Sequence, residues 1–160
     1  MEEKSSEYYI RKHLKIGWLG LVLFLALGIA IESLHGLKLP YYLDLKNSSR
    51  RLMWTLAHSH GTLFALINIA FAFTIPKLNS RKHLQWISIS LVLGLCGMPL
   101  SFFAAGVWLQ KGEPGLAVFL VPVFAFIMLA GVALTYFSMD SGPRETAWKS
   151  PATKAGIRKN

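Results

Sequence analysis

The chain of 160 residues contains one cysteine, Cys96. A lone cysteine makes no intramolecular disulfide. This one lies inside an apolar tract, where a small buried hydrophobe is the ordinary role. Charge is also scarce, at 16% of residues, below the ~25% of a soluble domain. No phosphate-binding loop is present, no serine or cysteine nucleophile with a base, and no zinc-finger spacing. Nothing therefore points to nucleotide-driven chemistry or to a covalent hydrolase.

What is abundant is apolar sequence, at 53% of residues. The charges avoid four tracts, at roughly 14–35, 52–75, 85–108 and 115–138. Each has about 20 residues or more, enough to cross a ~30 Å hydrocarbon core. The tracts largely lack the polar face of a soluble core helix. We expect an all-α polytopic membrane protein. Residues 1–138 form one transmembrane domain, and 139–160 a basic, mostly disordered tail. The acidic residues Glu2, Glu3 and Glu7 before the first tract, and its length, argue for a retained span rather than a cleaved signal. The connection at Pro76–His83 and the one at Gln110–Pro114, with its KGEPG turn, are short, which predicts antiparallel neighbours in an up-down four-helix bundle. The longer 36–50 connection carries LPYYL, apolar enough to lie on the membrane or cap the bundle. Pro99 and Pro122 predict kinks in the third and fourth spans.

Orientation follows from Lys and Arg. One side has Lys4, Arg11, Lys12, Lys15, Lys77, Arg81, Lys82 and the five basic residues of the tail. The other has Lys38, Lys46, Arg50, Arg51 and Lys111. The positive-inside rule puts both termini in the cytoplasm, and a bacterial cytoplasmic membrane is the expected location. The net charge of +9 reflects this bias. It calls for membrane lipids as partners and needs no nucleic acid.

Ionisable residues inside spans are functional candidates. The second span opens LAHSHGTLF, with His58 and His60 pointing roughly 160° apart at 100° per residue. The His58 side carries small residues (Gly61, Ala65, Ala72) suited to close helix approach. The His60 side is bulky (Met53, Leu56, Phe64, Ile67, Phe71), which suits lipid, a planar ligand or another subunit. Asn68 projects between them, as a cofactor contact or as a polar tie to the first or third span. The first span ends IESLHG, placing Glu32 and His35 on one face. Glu32, His35 and His58 all fall in the outer half, where a carboxylate and imidazoles offer metal ligation or proton transfer. Glu-x-x-His occurs once, so a di-iron carboxylate site is excluded. His13 and His83 lie at the cytoplasmic boundary and receive no role.

Ala57-His58-Ser59-His60-Gly61 resembles the His-x-His helix of heme–copper oxidase subunit I. In that family the two histidines point to opposite sides of one helix, and each binds the iron of a different heme. The resemblance spans ten to twenty residues. It implies His58 and His60 as heme ligands. The family's further spans, further metal-binding histidines and His-Tyr pair are not visible here, so a catalytic oxidase is not implied.

Three functions follow as expectations. The first is a His/Glu site in the outer half that binds heme b or a transition metal (copper, iron or zinc) for electron transport. The second is an accessory subunit or homo-oligomer whose histidines are interhelical hydrogen bonds. The third is a carrier or enzyme for a small apolar or quinone-like molecule, with Glu32 and His58 moving protons. This last predicts a cavity open from the outer leaflet with Glu32 on its wall.

Overall fold

The computed structural model describes residues 5–43 and 48–140. These are all-helical. Helix α1 is Ser6–Gly36, α2 is the single turn Pro40–Leu43, α3 is Ser48–Thr74, α4 is Leu84–Val107 and α5 is Val121–Asp140. Four of the helical segments are long and apolar enough to cross a membrane: Ser6–Gly36, Ser48–Lys77, Leu84–Val107 and Leu116–Met139. Most of the tail expected at 139–160 lies outside the described residues.

Helix α1 starts seven or eight residues earlier than the apolar tract predicts. Ser5 caps it by accepting from the Tyr8 amide. The polar start still has a buried face, because Tyr9, His13, Gly17 and Gly20 recur every three or four residues and are all buried.

The long helices pack in series rather than as a closed ring. Helix α1 lies on α3, α3 on α4 and α4 on α5, with α1 also touching α4. Half of the most apolar stretch of α4 is buried, against 11% for α5. Helices α1 and α3 run past each other in opposite directions. His13 of α1 is level with Asn68 of α3, and Gly28 of α1 with His58. Close approach explains the glycines. A methyl on Gly17 would lie 2.9 Å from the Ala65 carbonyl oxygen, and one on Gly94 would lie 2.8 Å from Met128 Cβ.

Two sequence expectations change at this level. The bulky face of α3 does not look outward. Met53, Phe64 and Phe71 are buried with Leu91, Leu95 and Phe102 of α4 in the main core. The cause is the central position of α3, which meets α1 with its small face and α4 with its large one. Pro122 does not kink a span. A 3-10 segment covers Leu116–Leu120, and α5 begins at Val121, so Pro122 sits in a first turn where its missing N–H is not needed. Pro99 remains inside a continuous α4.

The end of the helices that carries α2 is capped by aromatic stacking and one arginine. Tyr42 stacks on Trp54 at 6.2 Å and Trp54 on Phe103 at 5.4 Å between centroids. Arg50 is buried. It donates through Nε to the Gly106 carbonyl at 3.1 Å and through Nη1 to the Tyr41 carbonyl at 2.8 Å, with its guanidinium over the Tyr41 ring. The LPYYL segment thus caps the helices. The 110–113 turn is closed by reciprocal backbone bonds between Gln110 and Glu113. Lys111 and Gly112 have φ of 53° and 87°, a pair of positive values that suits glycine at the second position.

Candidate functional site

His58 and His60 stand on opposite sides of α3, and each is fixed by a backbone carbonyl. His58 Nδ1 lies 2.7 Å from the Phe24 carbonyl oxygen of α1. A carbonyl only accepts, so Nδ1 carries the hydrogen and Nε2 keeps its lone pair. Gly28, one turn beyond Phe24, makes room for the ring: a methyl there would lie 2.6 Å from His58 Cε1. His60 Nδ1 donates to the Leu56 carbonyl of its own helix at 2.9 Å. Its ring packs 5.2 Å from Phe102 of α4. His60 therefore lies between helices rather than on an outer face.

Outside His58, the crease between α1 and α3 opens into two adjoining pockets. The lower, of about 610 Å³, is lined by Leu25, Gly28, Ile29, Thr55, His58 and Glu32 among others. The upper, of about 490 Å³, is lined by Glu32, His35, Tyr42, Ser48, Arg51 and Thr55 among others. Glu32 stands on the wall of both. The expected cluster of Glu32, His35 and His58 is thereby divided, with His35 in the upper pocket and His58 in the lower. Among the described residues no group of three or more His, Cys, Asp or Glu is placed to hold a metal ion. His35 is exposed at the helix end, with its ring 6.4 Å from Tyr42. Burial pushes the Tyr42 phenol above its ordinary value. A hydrogen bond with Thr55 and the Arg51 charge act the other way, and Glu32 adds to the rise.

The most connected polar group lies at the other end of the molecule, on a residue given no role from sequence. His13 is fully buried. Asn68 donates from Nδ2 to the Phe64 carbonyl at 2.9 Å and the Leu91 carbonyl at 3.4 Å. Its Oδ1 thus faces His13 Nδ1, 2.7 Å away, which must be the donor. His13 Nε2 then accepts from Ser88 Oγ at 2.9 Å, and Ser88 Oγ accepts from Lys12 Nζ at 2.9 Å. The chain joins α1, α3 and α4 with every donor directed. Asn68 is tied to both the first and the third span, which leaves it no group for a cofactor. The 3.6-residue register from Tyr9 to Gly20 was the available sign that His13 faces inward.

The histidines thus do two jobs. His13 is a polar tie inside the helix row. His58 is a tie on one ring nitrogen, and its other has no hydrogen bond among the described residues. No protein family, curated protein or solved structure matches the chain.

Proposed function

We propose that this chain binds a small lipid-soluble molecule with a hydrogen-bond-donating head, in the crease between α1 and α3. One observation carries the reading. His58 commits Nδ1 to Phe24, which leaves Nε2 without a hydrogen bond among the described residues, and His58 lines a groove with Glu32 and Thr55. All three offer acceptors when Glu32 is ionised, so the complementary head is a donor, such as a hydroxyl or an ammonium. Leu25, Ile29 and Ile31 supply the apolar wall for its body. Glu32 and His58 also accept protons, so the pair serves a carrier or an enzyme that takes a proton from its ligand. Quinols and amino lipids both have this chemistry. The basic bias supports an up-down passage with both termini in the cytoplasm, and the crease then opens towards the outer leaflet.

The Phe24 bond favours a second reading. A metal-ligating histidine characteristically donates its other ring N–H to a carbonyl, which fixes its tautomer and raises its basicity. His58 has this arrangement, and so does His60 through Leu56. His58 would hold the iron of heme b, with Leu25, Ile29 and Ile31 against the macrocycle. Bound heme would supply one-electron chemistry there.

Full-length protein extracted in mild detergent tests both readings. Its absorption spectrum is taken oxidised and reduced, and its organic extract is analysed by mass spectrometry, beside His58→Ala. The expected result is a stoichiometric molecule lost in His58→Ala. A heme band lost with it identifies the second reading. Identical extracts from the two proteins and no heme band would sink both, leaving an accessory subunit of a membrane complex.

A further inference from the structure

Glu32 and Arg51 line the same upper pocket, yet neither forms an ion pair among the described residues. The neighbouring Arg50 is different, since its guanidinium is held by two carbonyls and a tyrosine ring. Among the described residues, the pocket at this end of the helices therefore presents a cation, Arg51, and an anion, Glu32, with no ion pair between them. It adjoins the lower pocket through Ile31, Glu32 and Thr55, which line both. Both charge signs stand at the top of the crease, and Leu25 and Ile29 form the wall below. Arg51 and His58 are seven residues apart, about 10 Å along α3.

A head of one sign would leave either Glu32 or Arg51 without a counter-charge. A neutral head would leave both. We infer that the occupant of the crease, taking the binding reading above as its premise, is a zwitterionic amphiphile with a phosphate and a primary ammonium. Arg51 takes the phosphate by charge-assisted hydrogen bonds, and Glu32 takes the ammonium. The acyl chain follows Leu25 and Ile29. An ethanolamine phospholipid has this chemistry. A choline phospholipid carries the same charges but has no N–H to give to Glu32. A glycerol phospholipid offers the phosphate and neutral hydroxyls but no ammonium.

The test uses full-length, delipidated protein in detergent with dioleoyl phosphatidylethanolamine, phosphatidylcholine or phosphatidylglycerol. Retained lipid is counted by native mass spectrometry. Wild-type protein should retain the ethanolamine lipid about tenfold more than either other lipid, the size of one charge-assisted hydrogen bond. Glu32→Gln should abolish that preference. Arg51→Gln should weaken retention of all three. Equal retention of the three lipids by wild type, as annular lipid gives, overturns the inference. So does a preference that survives Glu32→Gln. The wider binding reading has its own arm, the His58-dependent extract. A quinol found there without ethanolamine preference removes this inference and keeps that reading. Ethanolamine preference with a His58-independent extract keeps the crease as a lipid site held by Glu32 and Arg51 and removes His58 from it.

Discussion

Gly28 and His58 occupy one another's space. A methyl group on Gly28 would stand 2.8 Å from His58 Nδ1, the atom that bonds the Phe24 carbonyl. The glycine on α1 and the imidazole on α3 are one fitted pair, and that fit sets how the His58 ring lines the crease.

Gly28→Ala should therefore force the His58 ring away and break its bond to Phe24. Overpacking of this kind costs about 1–3 kcal/mol. Gly36→Ala is the control, because nothing lies within 4 Å of a methyl there. Thermal unfolding in detergent should show a lower midpoint for Gly28→Ala alone. Equal midpoints for the two variants would remove the pair as a determinant of the crease.

The His13 chain should behave as a unit. His13→Ala or Asn68→Ala leaves buried polar partners unsatisfied, at about 1–3 kcal/mol each. The double variant should lose less than the sum, with a coupling of about 0.5–3 kcal/mol. Additive losses would show that the bond at 2.7 Å contributes nothing. His83 is exposed at the start of α4 and has no side-chain capping bond, so His83→Ala should be silent.

Two adjacent arginines should differ. Arg50→Gln removes charged donors to the Gly106 and Tyr41 carbonyls, at about 1.5–3 kcal/mol per bond. Arg51→Gln touches no internal bond among the described residues and should stay within about 0.5 kcal/mol of wild type. Unfolding of the two variants side by side decides this. If Arg51→Gln is the more damaging, the division between a structural and a ligand-facing arginine is wrong.

Tyr42 predicts an alkaline effect. Burial raises its folded value above the ordinary one, and ionisation would place an anion in the aromatic cap. A raised folded value gives stability that is fully present below the unfolded value of about 10. That stability is lost as pH rises through the folded value. Trp54 fluorescence should report loosening of the cap at high pH in wild type and less of it in Tyr42→Phe. Identical alkaline profiles would show that Tyr42 stays protonated or plays no part.

The spans were legible because hydrocarbon length and charge avoidance act on every residue of a tract. The opposed faces of α3 were legible too, since helical periodicity fixed both. What each face meets was not, because hydropathy does not distinguish lipid from a neighbouring apolar helix. The bulky His60 side therefore turned out to be core. His13 was missed for a related reason: it stands among basic residues, and local polarity there masked a buried stripe. Pro122 was read as a kink because the sequence does not show where a 3-10 segment hands over to α5. That Glu32, His35 and His58 lie towards one end of the helices was legible. That His35 and His58 fall in separate pockets depends on a depth difference that separate helices do not reveal.

Helix α1 has 31 residues, about 46 Å of helix, while the hydrocarbon core measures about 30 Å. Much of the excess is the charged start, Glu7 to Lys15, which protrudes, and the lean of the apolar remainder depends on membrane thickness. Helix α1 cannot lean alone, because it is fastened to α3 from His13–Asn68 at one end to Gly28–His58 towards the other. The pair must tilt as one body. In a thin bilayer the wall formed by Leu25 and Ile29 lies flatter against the leaflet, and in a thick one it stands more upright. For the proposed ligand, bilayer thickness would then set the angle at which it meets Glu32.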